Sequence, residues 1–223
     1  MTPLVSVIMP VRNGTNYIKE ALKSLLNKDC NLEISVVDDG SSDNTVEIAG
    51  EYGCVVISHD VPKGTVVAKN TGLKAAKGHY ILFMDHDDKM RDGALKELVK
   101  AFDEAPDAYA VQAMVQDFKS PDCEGAVLSI RHDPYYGLFT GAILIRRKAF
   151  DTIGLFPTDH SAGEIIDWSD RMREHGLEVK KIDLVSTDRR VHQSNFGRTR
   201  RQEEMKNYAA ILRARLKASL DRD

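Results

Sequence analysis

The fold is decided by the stretch Tyr80-Ile81-Leu82-Phe83-Met84-Asp85-His86-Asp87-Asp88, an apolar run that ends in three acids within four residues. The apolar part predicts a buried strand, so the acids lie where that strand reaches solvent. Carboxylates packed this closely repel one another, and a hard divalent cation such as Mg²⁺ or Mn²⁺ would neutralise them. An acidic turn that caps the next helix is the alternative interpretation. This stretch alone leaves both open.

Strand-like and helix-like segments alternate on both sides of this stretch. The strand-like runs are short and apolar, and the segments between them carry apolar residues at helical spacing. Such alternation predicts an α/β fold with a doubly wound, mostly parallel sheet. The predicted strands cover 4–9, 33–37, 54–57, 80–84 and 108–117, and the predicted helices cover about 13–27, 42–51, 65–76 and 92–103.

Ligands of such sheets bind at the carboxyl ends of the strands. Here those ends read Pro10-Val11-Arg12-Asn13, Asp38-Asp39-Gly40 and Asp85-His86-Asp87-Asp88. No G-x-G-x-x-G motif follows the first strand, which argues against a nicotinamide cofactor. No G-x-x-x-x-G-K-[ST] motif is present, which argues against a Walker-type nucleotide site. A phospho-acceptor receiver domain also pairs acids after its first strand, but it spans only about 120 residues, within the usual size of one domain. A receiver also needs a Lys that the fifth predicted strand lacks.

The bulk properties indicate a cytoplasmic globular protein. The chain has 223 residues, 42% of them hydrophobic, and a net charge of −3, which gives no case for nucleic-acid binding. No apolar segment is long enough to span a bilayer, and no leader is visible. The three cysteines lack a C-x-x-C spacing and are typical of reduced thiols.

The second half is less regular. A strand-like run is mixed with glycine over 137–145, a helix is predicted over 164–175 and a strand over 179–185. An amphipathic, basic helix is predicted over 203–220. We expect this helix to pack on its own domain or on a second subunit of a homodimer. It is also the one predicted route to membrane association.

Four motifs carry a resemblance to a known family. They are Val5 to Asn13, Val36 to Asp43, Ala68 to Gly72 and Phe83 to Asp88. In order and approximate spacing they resemble the family 2 glycosyltransferases of the GT-A fold. Weaker matches continue through Gly141 to Arg146, Gly154 to Phe156 and Glu164 to Gly176, so the resemblance runs to about residue 195.

The resemblance implies a GT-A domain over 1–195, with a nucleotide-sugar half at 1–115, an acceptor half at 116–195 and a helical tail at 196–223. It implies an inverting, hexosyltransferase-type enzyme whose donor is a nucleotide-sugar, most simply a UDP-sugar. The acceptor stays open among glycans, lipids, peptides and small molecules. The residues that the resemblance places around the donor are Pro10, Val11, Asn13, Asp38, Asp39, Lys69, Asp85, His86 and Asp87.

The same resemblance assigns roles within the D-x-D signature formed by Asp85 and Asp87. Asp87 is the expected direct ligand of Mn²⁺ or Mg²⁺, and Asp85 is expected nearer the ribose. A His or Arg in the C-terminal region of relatives closes over the diphosphate, and His192 matches that position. Imidazole is an acceptable Mn²⁺ ligand, so the expected metal set is Asp87, Asp85 and His192. A surface His in a basic loop is the alternative.

The expected catalytic base is where the chain departs from the family. Members carry an Asp at the second position of an E-D pair, and here that position is Ile165. Glu164 and Asp167 are the remaining candidates, with Asp167 preferred. A paired Asp167 and Arg171 on the helix is the alternative.

The missing acid also motivates a rival function, a catalytically silent nucleotide-sugar-binding protein. A nucleotidyltransferase would need a Gly-rich, basic loop after the first strand, and Arg12-Asn13-Gly14 is too sparse to form one.

Three aromatic residues are candidates for stacking on the acceptor. Trp168 lies on the predicted helix, and Tyr135 and Tyr136 lie in the less regular region. Core or surface packing is the alternative for each of them.

Overall fold

A computed structural model describes residues 4–26, 30–159 and 163–195, together with 205, 206, 208, 209 and 213. Within these residues, eight strands form one sheet in the order β3-β2-β1-β4-β7-β6-β8-β5. The strands are β1 Leu4–Val11, β2 Asn31–Asp38, β3 Val55–Ser58, β4 Tyr80–Phe83, β5 Lys89–Met90, β6 Ala110–Lys119, β7 Ile143–Arg146 and β8 Val179–Val191. The helices are α1 Ile18–Leu25, α2 Thr45–Glu51, α3 Thr65–Ala75, α4 Ala94–Glu104, α5 Arg147–Ile153 and α6 Glu164–Glu174.

Helices cover both faces of the sheet because the strands are apolar on both sides. Along β1, Val7 and Met9 face one core with α1, α2 and α4. Ile8, which lies between them, faces a second core with α3, α5 and α6. The molecule is therefore a three-layer α/β/α structure, and the predicted fold class is confirmed.

The first four strands pair in parallel, as the alternation predicts. β1 lies between β2 and β4, and β2 also pairs with β3. The prediction that β1 stops before Pro10 is wrong, because Pro10 pairs with Val37 and Val11 pairs with Asp38. The pairing with β4 stops at Ile8 and Phe83, so the missing N–H of Pro10 removes no bond from that ladder.

Helix α1 is shorter than predicted. The period suggests a start at residue 13, but the helix begins at Ile18. Asn13 has φ of 55°, which is incompatible with a right-handed helix. The Gly14 carbonyl accepts the amide of Ile18 at 2.9 Å, so the chain turns sharply before the helix.

The second half makes the sheet mixed. β7 runs antiparallel to β4 and to β6, whereas β8 runs parallel to β6. The predicted boundary at residues 115 and 116 falls inside β6, so the two predicted halves share one sheet. The strand predicted over 179–185 continues to Val191, because it stays paired with β6 as far as Lys119. Thr187 in this continuation is buried, and its hydroxyl donates to the Gly141 carbonyl at 2.7 Å. That polar continuation has no apolar signature.

The predicted C-terminal helix over 203–220 lies almost wholly outside the described residues. The predictions about a membrane surface or a second subunit fall on the same segment. None of the helices in the described part of the chain is both long and apolar enough to cross a membrane.

Candidate functional site

The loops that follow β1 and β2 are joined by hydrogen bonds. The Asn13 amide donates to Ser41 Oγ at 2.8 Å, and Asn13 Oδ1 accepts the Ser42 amide at 2.9 Å. Gly14 is required by close packing, because a Cβ there would lie 2.6 Å from the ring of His86. The three strand ends named by the sequence therefore meet at one edge of the sheet, as expected for a parallel α/β fold.

Asp85, Asp87 and Asp88 form the acidic cluster of this edge. One oxygen from each carboxylate lies within 4.8 Å of the other two. Asp88 is 2% exposed, and its Oδ1 accepts the amide of Arg190 at 2.8 Å. All three oxygens are the hard ligands that Mg²⁺ and Mn²⁺ prefer.

The electrostatics of this cluster suit a cation. Burial, together with repulsion from Asp87, raises the pKa of Asp85, although the nearby Lys69 opposes the change. Burial and the charges of Asp87 and Asp85 raise the pKa of Asp88 well above its ordinary value. A divalent cation would relieve this repulsion, so the residues present fit such an ion.

His192 lies beside the cluster although it follows β4 by more than a hundred residues. Its Nε2 is 2.8 Å from Asp87 Oδ2, and its Nδ1 is 2.8 Å from Ser194 Oγ. Asn195 donates to the same Asp87 oxygen at 3.2 Å. Burial raises the pKa of Asp87, but the hydrogen bond from His192 and the charges of His86 and His192 outweigh it and leave the pKa lowered. His192 is 5% exposed, so the alternative of a surface histidine is wrong.

Arg190 completes this corner, and the sequence analysis did not select it. The guanidinium is buried, donates to the Asp87 carbonyl at 2.8 Å and forms an ion pair with Glu20. It also lies 4.9 Å from the centre of the Tyr17 ring. The signal was the Arg189-Arg190 pair before His192, but only the pairing of β8 with β6 places it near the acids.

Lys69 and Glu164 form a buried ion pair next to the cluster. Lys69 Nζ lies 2.6 Å from Glu164 Oε1 and donates to Thr140 Oγ1 at 3.2 Å. Burial lowers the pKa of Lys69, but the carboxylates of Glu164 and Asp85 outweigh it and raise that pKa. Burial raises the pKa of Glu164, and Lys69 reverses the change and lowers it. Both groups therefore stay charged, with side chains only 6% and 12% exposed.

Asp167 lies one turn further along α6 and has a different partner. Its Oδ2 accepts Arg171 Nε at 2.7 Å, as the helix spacing predicted. The Arg171 guanidinium also donates to the carbonyls of Ile153 and Leu155, which fixes α6 against the end of α5. Ile165 is 8% exposed and belongs to the second core.

The aromatic candidates do not form an open stacking surface. Trp168 is 1% exposed and packs in the second core, so its predicted contact with an acceptor is wrong. Tyr135 donates its hydroxyl to Asp117 at 2.9 Å, and Tyr136 donates to the Ile182 carbonyl at 2.9 Å. Of these three residues, Tyr136 is the exposed one.

The acid pair at the end of β2 is buried and hydrogen-bonded. Asp38 Oδ1 accepts the Ser41 amide at 3.0 Å, and the Asp39 amide donates to the Val11 carbonyl at 2.8 Å. The Asp39 carboxylate accepts three further bonds, one of them from His59 at 2.8 Å. His59 was not selected by the sequence analysis, because a lone His after a short strand carries no motif.

An open cleft of about 400 Å³ is lined in part by His192. Its walls include Tyr17, whose hydroxyl donates to Asp122 at 2.6 Å. The remaining lining residues are Asn16, Cys123, Gln193 and Ser194. His192, which contacts Asp87, thus also lines a space that could hold a bound molecule.

The family model described as "Glycosyl transferase family 2" matches residues 6–154. An uncharacterized glycosyltransferase of Rickettsia prowazekii is 45% identical over 91 residues, which are 39% of this chain and 28% of the relative. EpsJ of Bacillus subtilis, also an uncharacterized glycosyltransferase, is 38% identical over 105 residues, 45% of this chain and 30% of EpsJ. The chain thus spans less than a third of the lengths of these two relatives.

Solved structures share the fold at low identity. TarS from S. aureus in complex with UDP-GlcNAc has a TM-score of 0.69 and 23% identity, over 86% of this chain and 59% of TarS. The mannosyltransferase PcManGT from Pyrobaculum calidifontis, in complex with GDP-Man and Mn²⁺, has a TM-score of 0.72 and 22% identity. That match covers 96% of this chain and 65% of the mannosyltransferase. At these identities the matches establish the fold alone.

Proposed function

The chain belongs to glycosyl transferase family 2, and from this premise we propose that it transfers a sugar from a nucleoside diphosphate donor to an acceptor, with inversion. The observation that carries the proposal is the acidic cluster of Asp85, Asp87 and Asp88, with His192 on Asp87 and the Lys69–Glu164 pair beside it. The fold relatives whose complexes contain UDP-GlcNAc, or GDP-Man and Mn²⁺, support a nucleotide-sugar donor.

Asp87, Asp85 and His192 are the proposed ligands of Mn²⁺ or Mg²⁺. When bound, such an ion supplies Lewis-acid stabilisation of the negative charge that develops on the departing diphosphate. Asp88 keeps a different task in this proposal, because its Oδ1 holds the amide of Arg190 and so fixes the end of β8. Lys69 adds a fixed positive charge on the side of Asp85.

The nucleoside is proposed to lie over the ends of β1 and β2. Pro10, Val11 and Asp38 are buried and shape the floor there, whereas Asn13 and Asp39 contribute the polar groups of the two loops. His86 lies between this region and the cluster, against Gly14. We propose uridine as the nucleoside of the donor.

Glu164 is the proposed general base. In a single displacement the acceptor oxygen bonds to the anomeric carbon, the bond to the diphosphate breaks, and the acceptor proton passes to the carboxylate. Lys69 lies 2.6 Å from Glu164 and keeps it ionised, so it is ready to accept that proton. Asp167 is engaged by Arg171, and Ile165 is packed in the core. These contacts favour Glu164 over Asp167, reversing the preference from sequence.

A catalytically silent nucleotide-sugar-binding protein is the second candidate, and the burial of Ile165 favours it. One assay separates the two functions. Purified protein is incubated with UDP-sugars and GDP-sugars in Mn²⁺, with glycan, lipid-linked and small-molecule acceptors, and the released nucleotide is measured. We expect release of nucleotide above the rate of a Glu164→Gln variant. If the protein bound a donor but released nucleotide in none of these mixtures, the result would contradict transfer and favour the silent protein.

A further inference from the structure

The Asp39 carboxylate accepts three hydrogen bonds from its own chain. Its Oδ1 lies 2.8 Å from His59 Nδ1 and accepts the Lys63 amide at 2.8 Å. Its Oδ2 accepts the Gly64 amide at 2.8 Å. Burial raises the pKa of Asp39, but these three bonds outweigh it and leave the pKa lowered. The group is therefore an ionised carboxylate, and His59 Nδ1 must be the donor to it.

The number of acceptor positions left on this carboxylate is small. An ionised carboxylate has about four lone-pair positions, two on each oxygen. His59 and Lys63 take both positions on Oδ1, and Gly64 takes one of the two on Oδ2. Asp39 can thus accept one more hydrogen bond, on Oδ2.

Other contacts of His59 hold its ring in the position that bonds to Asp39 Oδ1. Its Nε2 lies 3.0 Å from Thr71 Oγ1, and that hydroxyl donates to the Val67 carbonyl at 3.0 Å. The His59 amide donates to the Asp38 carbonyl at 2.9 Å, and its side chain is 6% exposed. Both ring nitrogens and the backbone are therefore fixed.

The loop that carries Lys63 and Gly64 also lies tightly against the end of β2. Gly40 has φ of 75°, and a Cβ there would come within 3.1 Å of Pro62. A glycine is needed at that position for both reasons. The loop therefore presents its two amides to Asp39 as part of a packed structure.

Nucleoside bases differ in what they offer to such a carboxylate. The Watson–Crick edge of uracil has one N–H between two carbonyls, so one free acceptor satisfies it. Guanine presents two neighbouring donors, N1–H and N2–H₂, which a carboxylate satisfies only with both oxygens. A site that leaves one guanine donor unpaired discriminates against guanine, because a buried unpaired donor is costly.

We propose that His59 is a specificity-determining positioning residue, which keeps Asp39 Oδ1 occupied so that the site accepts the uracil of a uridine diphosphate donor and rejects guanine. The inference rests on the proposed function, since it assumes that the base lies at Asp39. It assigns the choice of base to His59, a residue that binds the Asp39 carboxylate.

Isothermal titration of UDP and GDP in saturating Mn²⁺ tests this proposal. We expect the wild-type protein to bind UDP at least about tenfold more tightly than GDP, the effect of one charge-assisted hydrogen bond. His59→Ala removes both the ring and its donor, so that a position on Oδ1 becomes open. It should reduce the UDP preference by about tenfold, through tighter GDP binding relative to UDP.

His59→Asn is the matched control. Asn Nδ2 stands two bonds from Cβ, as Nδ1 of histidine does, so it can restore the bond to Asp39 and the preference for UDP. A purely structural role of His59 would weaken both nucleotides equally and leave their ratio unchanged, which would overturn the inference. Melting curves of each variant identify loss of folding, and a wild-type preference for GDP overturns the inference without any variant. Binding of neither nucleotide by folded wild-type protein would instead refute the donor site itself.

Discussion

Glu164 and Asp167 are one turn apart on α6, and their partners separate their roles. Glu164 is buried against Lys69, which lies next to Asp85. Asp167 is more exposed, with 27% of its side chain accessible, and is paired with Arg171. Spacing alone could not distinguish the two acids, because both lie on similar faces of the helix. Only the packing of α6 against α3 and α5 does so.

A pair of amide variants tests this difference. We expect Glu164→Gln to lower kcat by roughly a hundredfold or more, the usual contribution of a general base, with donor affinity nearly unchanged. Asp167→Asn should keep most of kcat, since its lost partner is a helix ion pair. Steady-state kinetics and donor titrations on both variants measure these effects. Loss of transfer in Asp167→Asn, with Glu164→Gln still active, would return the base role to Asp167.

The buried pair also governs stability at the residue scale. Lys69→Met leaves the Glu164 carboxylate buried without its cation, so we expect the free energy of unfolding to fall by about 3 to 5 kcal/mol. Removing both charges, in Lys69→Met with Glu164→Gln, should recover at least half of that loss. Urea unfolding of the single and double variants measures it. A double variant as unstable as Lys69→Met would show that the unpaired charge is not the cause.

At the scale of elements, Asp43 connects the loop before α1 to the start of α2. Its carboxylate accepts the amides of Thr15 at 3.2 Å and Thr45 at 3.1 Å. Partial burial raises its pKa, but hydrogen bonds from these two threonines outweigh it and lower the pKa to about 2. The sequence placed Asp43 only at the end of the motif Val36 to Asp43, because the contact with Thr15 is non-local.

This lowered pKa predicts an acid-dependent loss of stability. A carboxyl group with a lower pKa in the folded state stabilises the protein above its unfolded pKa, 3.8, and loses that contribution as the pH falls toward about 2. In Asp43→Asn, the melting temperature should therefore fall less between about pH 4 and pH 2.5 than in the wild type. Scanning calorimetry at both pH values measures this, with the exposed Asp103→Asn as control. Equal falls in Asp43→Asn and wild type would contradict the assignment.

The elements that the sequence predicts best are those of the first half. β1, β2 and β4 are apolar runs that end in distinctive polar groups, so both the strands and their functional ends could be predicted. β8 could be predicted only in its first part. Its later residues are polar because they bond to other polar groups: Thr187 to the Gly141 carbonyl, Arg189 to Asp117, and Arg190 to Asp87 and Asp88. Hydrophobic pattern does not detect such a strand.

At the scale of the whole molecule, the strand order assembles the candidate site. β4 delivers Asp85, Asp87 and Asp88, and β8 returns from the far end of the chain with Arg190 and His192. The pairing of β8 with β6 contains two register shifts, between Gln112 and Met114 and between Met114 and Val115, which no local pattern predicts. The family resemblance pointed to His192, but composition and periodicity did not.

We propose above all that the cluster after β4 binds a divalent cation together with a nucleoside diphosphate. The most direct measurement is the melting temperature with UDP, with Mn²⁺ and with both, in the wild type, in Asp87→Asn and in the exposed control Asp103→Asn. At about 100 times Kd a ligand adds about 2.7 kcal/mol, which corresponds to a rise of roughly 5 to 10 °C for a chain of this size.

We expect that rise in the wild type and in Asp103→Asn only when UDP and Mn²⁺ are present together. Asp87→Asn should fold, because one charge leaves a repelling cluster, and its melting temperature should not respond to the combination. An equal rise in Asp87→Asn, or a rise with UDP that does not depend on Mn²⁺, would contradict the claim.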